Sequence, residues 1–160
     1  MAGDRYAGEE HPHNHSVQLA LFVAFLPLWV IESFFLKLST FGYRTMVLPR
    51  IGVAIALFLV GAILMDRSHK ALFDNPPDVP QIISTGVFRW TRHPMYSGAL
   101  LAYLSLVIAV PSILCLAILC IGFLAFDRLA AYEEEDLLKN FGDEYRAYQR
   151  RVSRWVPFLF

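Results

Sequence analysis

The chain has 160 residues, 14 basic and 14 acidic side chains, and a composition that is 56% hydrophobic and 14% aromatic, with a mean hydropathy of +0.46. A soluble domain of this size could not hide so much apolar surface, so the composition points to an all-α integral membrane protein. Zero net charge, with acids interleaved among the bases, excludes a nucleic-acid binder.

Residues 1–16 read as a mobile N-terminal tail. Its "HPHNH" (residues 11–15) is one proline-broken cluster without the fixed geometry of a metal site, and no metal is expected. No secretory signal pattern is evident. Residues 17–66 hold the first two expected transmembrane helices. The first, about Val17 to Leu38, contains Pro27, which predicts a kink, and Glu32, which is expected near the interface. The second runs from about Val47 to Met65, with Gly52 and Gly61 permitting close helix packing. The polar stretch "DRSHKALFDNPPDVPQIIST" then reads as a loop, because Pro76, Pro77 and Pro80 rule out a continuous helix.

Residues 67–160 form the remaining unit. From Ser97 to Phe126 there is no charge. One straight helix of that length would reach ~45 Å, against a hydrocarbon core of ~30 Å. A helical hairpin with its turn at Pro111 is the better reading, since Pro-Ser suits the first turn of a new helix. A hairpin also puts "RHPMY" and "EEED" on one side of the membrane. The full expectation is four spans, both termini cytoplasmic, in a multi-pass arrangement that obeys the positive-inside tendency. Beyond Phe126, apolar residues recur at steps of three and four, so amphipathic cytoplasmic helices should follow, with a break at Gly142. Cys115 and Cys120 lie in the apolar run without a CxxC or Cys/His spacing, and read as packing residues.

The chemistry sits in two clusters. "GVFRWTRHPMYSG" supplies Arg92, His93 and Tyr96; "EEED" supplies Glu133 and Glu134, and Arg150, Arg151 and Arg154 follow. There is no nucleophilic Ser or Cys with a partnered base and no phosphate-binding glycine loop. The set suits a zwitterionic cofactor held beside a lipid-soluble substrate: carboxylates for cationic groups and hydroxyls, Arg92 or His93 for a carboxylate.

"TGVFRWTRHPMYSG", an apolar hairpin and "EEEDLLKNFGDEYRAYQRRV" together resemble the isoprenylcysteine carboxyl methyltransferases and the related membrane phospholipid methyltransferases, over about residues 82–157. The resemblance implies S-adenosylmethionine (SAM) as cofactor and a lipophilic small-molecule substrate among membrane lipids. It implies His93, Tyr96, Glu133 and Glu134 at the cofactor and Arg151 at the substrate carboxylate; Arg92 joins the cofactor set as a cationic donor, and Arg154 is the second choice at the substrate. A carboxylate nucleophile needs no base, whereas an amine would need Glu134 or a neutral histidine. A prenylcysteine-like carboxylate is the favoured acceptor. A lipid amine or thiol, a nicotinamide-dependent reductase of the steroid-reductase type, and a non-enzymatic lipid-binding protein are the alternatives. Phe88 and Ser153 stand where the family often has tyrosine and proline.

Overall fold

A computed structural model of the chain describes residues 12–41, 46–74 and 81–155, with side chains from residue 20 onward. Among the described residues there are four long helices and no strand beyond one isolated bridge pair. They are α1 (Pro12–Val30), α2 (Val47–His69), α3 (Pro94–Ala109) and α4 (Ile113–Gln149). Two stretches, Val47–Asp74 and Ile113–Gln149, are long and apolar enough to cross a membrane; Ala20–Leu36 and Pro94–Ala109 are shorter apolar helices.

α1 begins at Pro12, inside the stretch expected to be a tail; residues 1–11 lie outside the described residues. It passes through Pro27 and widens into a π-helical turn at Ile31–Leu36. There Glu32 departs from expectation. It is 1% exposed and faces inward. The reason is the left-handed turn at Lys37 (φ 52°), which folds Ser39 back over the carboxylate. Ser39 donates to it from its backbone N–H and from Oγ at 2.6 Å. The Ser39 hydroxyl also lies 2.9 Å from that of Ser112, so Glu32 ties the exit of α1 to the α3–α4 turn.

α2 runs past the expected Met65 to His69 and on through a π-helical turn to Asp74. The polar residues there still favour helix: Asp66 and Lys70 pair at 3.0 Å one turn apart, and no breaker precedes Asn75. The stretch expected to be a loop, 66–85, is therefore helical over 66–74, and its part 75–80, with all three prolines, lies outside the described residues. The buried residues of α2 are Ala54, Gly61 and Ser68, one every two turns, which form a narrow seam against α3. A Cβ on Gly61 would stand 2.6 Å from the Gly98 carbonyl oxygen, and one on Gly98 equally close to that of Gly61. The two backbones touch because neither residue has a side chain.

Pro94 occupies the first turn of α3, where its missing N–H costs nothing. α3 ends at Ala109, Pro111 sits in the turn, and Ser112 caps α4 by accepting from the Cys115 N–H at 3.2 Å. The two helices then run back along each other. The apolar core lies between them and α1: Phe25, Tyr96, Tyr103, Cys115, Phe126 and Ala130 are all buried. α4 carries its inward residues on one stripe (Cys115, Gly122, Phe126, Ala130, Glu134) that changes from apolar to charged along its length. At Gly142 the backbone leaves the helix with φ 50°, and the last turns pack Tyr145, Tyr148 and Val152 into a second, smaller core with Leu137 and Phe141.

Candidate functional site

The hairpin brings the start of α3 against the middle of α4, and the residues singled out in the sequence meet there. Glu134, 4% exposed, is the centre. Its Oε1 accepts from Arg92 Nε at 2.9 Å and Arg154 Nε at 3.0 Å, and lies 3.1 Å from His93 Nε2. Its Oε2 accepts from Arg154 Nη2 at 2.9 Å, Gln149 Nε2 at 3.1 Å and Arg92 Nη2 at 3.3 Å. A carboxylate has room for about four such bonds, so Glu134 is saturated and paired as an anion. It has no lone pair to spare for taking a proton from an acceptor.

His93 is pinned from both sides. Nδ1 is 3.2 Å from Glu133 Oε2 while Nε2 faces Glu134. Burial pushes its pKa down, but the hydrogen bonds and charges of Glu133 and Glu134 outweigh that, and the net direction is upward from 6.5. A carboxylate on each nitrogen favours the imidazolium, in which both ring nitrogens donate. Tyr96, 1% exposed, donates to Glu133 Oε1 at 2.7 Å. The rings stack in series, His93 on Tyr96 at 5.7 Å and Tyr96 on Phe126 at 5.0 Å.

The C-terminal segment after α4 closes over this cluster. Arg92 donates its backbone N–H to the Ser153 carbonyl at 3.0 Å, and its Nη1 reaches the carbonyls of Val152 at 2.6 Å and Gln149 at 3.2 Å. Thr91 Oγ1 donates to the Arg154 carbonyl at 2.6 Å, and Tyr148 donates to the Phe88 carbonyl at 2.6 Å. Arg154 is held by Glu134 and by Asp127, and these bonds raise its pKa above the ordinary value, so it stays cationic.

Arg92, His93, Tyr96, Glu133, Glu134 and Arg154 are thus brought together. Arg151 is not: it is exposed, just past the end of α4, and its Nε donates to the Ala147 carbonyl in the last turn of that helix. Arg150 is exposed as well. Sequence reasoning missed Asp127, Gln149, Thr91 and Tyr148. Asp127 carried a signal, since it stands seven residues before Glu134, two turns along one helix face, and is the first charge after the apolar run. Gln149 and Thr91 carried none, because only the folding-back of the C-terminal segment gives them partners.

All-helical apart from one isolated bridge, with an apolar hairpin under an ionic cluster, the described residues have the architecture of an integral membrane protein. A family model described as phospholipid methyltransferase matches residues 49–144. The chain belongs to this isoprenylcysteine and phospholipid methyltransferase family. It is 27% identical over 157 residues to the protein-S-isoprenylcysteine O-methyltransferase of Rattus norvegicus, covering 91% of this chain and 53% of that one. The corresponding protein of Dictyostelium discoideum is also 27% identical, over 96% of this chain and 67% of that one. The methanethiol S-methyltransferase of a Pseudomonas strain is 31% identical over 66% of this chain and 46% of that one. A solved structure of the eukaryotic intramembrane Ras methyltransferase ICMT shares the fold, with a TM-score of 0.61 at 20% identity, over 93% of this chain and 54% of that one. The chain spans about half the length of the rat relative.

Proposed function

We propose that the protein transfers a methyl group from SAM to an acceptor whose tail stays in the bilayer, at the cytoplasmic interface, with four spans and both described ends of the chain on the cytoplasmic side. The observation that carries this reading is the pairing of His93, Tyr96 and Arg92 at the start of α3 with Glu133 and Glu134 on α4, at the polar end of an apolar hairpin. The donor set fits a zwitterionic cofactor. Glu133 offers oxygens to ammonium and hydroxyl groups, and Arg92, whose Nη2 keeps a second N–H beyond its bond to Glu134, offers a charge-assisted donor to a carboxylate. The phenol of Tyr145 is buried without a hydrogen-bond partner among the described residues, beside the same cluster, and is a further group for a polar ligand. When bound, SAM supplies an electrophilic methyl group on a sulfonium.

The chain's own part is alignment. An in-line displacement gains most from fixed positions, and the ring stack on Phe126 and the saturated Glu134 hold the polar groups in place. The acceptor is a carboxylate. Glu134 is fully bonded and both nitrogens of His93 face carboxylates, so neither is free to take a proton from an amine. Arg154, on the cluster, is the cation placed to meet the acceptor's carboxylate; Arg151 serves this role only if the C-terminal segment rearranges. A thiol acceptor is the second reading, favoured by the likeness to methanethiol S-methyltransferases; it would react as the thiolate, its proton lost to solvent, since the cluster holds no free base.

Calorimetry of the detergent-purified protein with SAM and with NADPH, followed by transfer assays on a prenylcysteine, a small thiol and an amino-lipid, tests the proposal. SAM alone should bind and the prenylcysteine should be methylated. Binding of NADPH, or methylation confined to the amine, overturns it.

A further inference from the structure

We propose that Trp155, with Asp127 as its positioning residue, determines which acceptors reach the site from the lipid side. The inference rests on the methyl-transfer reading and goes beyond it. Trp155 is the residue after Arg154 in the segment that folds back over the hairpin. Its indole N–H donates to Asp127 Oδ1 at 2.9 Å, and the same oxygen accepts from Arg154 Nη1 at 3.0 Å. The two donors and the carboxylate lock the ring and the guanidinium to each other.

The ring has two neighbours of opposite character. On one side Phe123 lies 5.3 Å away, 40% exposed and within the part of α4 apolar enough to cross a membrane. On the other side His93 lies 6.2 Å away, 7% exposed within the ionic cluster. The indole therefore stands at the boundary between bilayer and site. Asp127 is the residue that can hold it there. It is the first charge after the run from Ser97 to Phe126, so it marks where the apolar surface of α4 ends. It also shares a helix face with Glu134, so Arg154 can bridge both carboxylates and brace the segment. An acceptor with its head at His93 and its tail in lipid must run past this flat, rigid ring. A wide or branched tail meets the ring and a narrow one does not.

The test uses the whole chain in lipid vesicles and two acceptors with one head group, one carrying an unbranched alkyl tail and one a branched prenyl tail. Trp155→Ala should raise the ratio of kcat/KM, branched over unbranched, by about tenfold. Asp127→Asn should move it the same way, and Asp127→Glu should restore most of the native ratio. A structural role alone would lower both rates together, and an unmoved ratio overturns the proposal. If the native chain methylates neither acceptor, the methyl-transfer reading fails. The position of the ring is then decided separately, in a chain carrying Trp29→Phe and Trp90→Phe. Lipids brominated on the upper acyl chain should quench Trp155 emission, and quenching should change in Asp127→Asn; absence of quenching overturns the boundary position.

Discussion

Removing Glu134 leaves Arg92, Arg154 and His93 without their shared anion, in a place where the Glu134 and Arg92 side chains are only 5% and 12% exposed. Breaking one partner of such a buried set costs about 3–5 kcal/mol. Glu134→Ala should therefore lower the thermal unfolding midpoint in detergent sharply, while Glu135→Ala, on the exposed face, should stay within about 0.5 kcal/mol of the native chain. His93 makes a second residue-scale prediction. Its folded pKa lies above its unfolded one, so its contribution is complete below the unfolded value near 6.5. That contribution declines as the pH rises beyond it and is gone once the pH passes the raised folded value. Stability should fall with pH over that window, and His93→Gln should flatten the profile; a native profile that rises there would contradict the pairing with Glu133 and Glu134. The types of these residues were readable from the sequence. Their saturation was not, because six of the bonds on Glu134 come from residues 15 or more positions away.

At the scale of elements, one close backbone approach decides how α2 packs on α3. α2 approaches α3 through Gly61 and Gly98, and a methyl group on Gly61 would meet the Gly98 carbonyl oxygen at 2.6 Å. Gly61→Ala must push the helices apart at a cost of about 1–3 kcal/mol. Gly52→Ala has nothing within 4 Å of the new carbon and should be neutral or mildly stabilising, since alanine is the better helix former. Equal melting points for the two variants would sink the contact. Gly98 lies half a turn from Tyr96, so Gly61→Ala should also disturb the Tyr96–Glu133 bond. The helix ends were less legible than the helices. α1 began inside the expected tail, and α2 overran its apolar stretch into charged residues, because exposed side chains such as Asp66 and Lys70 do not stop a helix.

At the scale of the whole molecule, the four-span arrangement proposed above puts Arg89 and Lys139 on one side of the bilayer. Single cysteines at these two positions, in a chain with Cys120 replaced, should label from the same side in sealed vesicles. Labelling from opposite sides would remove the hairpin and the site together. Both residues are exposed, so access is not limited by burial.

The sequence by itself determined the helical, membrane-bound class, the turn at Pro111, the break at Gly142 and the residue types of the ionic cluster. These follow from local causes: apolar length, proline and glycine backbone limits, and motif spacing. Only the tertiary structure decided that Glu32 turns inward, that Arg154 and not Arg151 joins the cluster, and that Asp127 holds the closing segment. Neighbouring arginines are equivalent as letters. Which one meets a carboxylate depends on the path the chain takes after Gln149, set by bonds from Thr91 and Arg92, some 60 residues away in sequence, to the backbone of that segment.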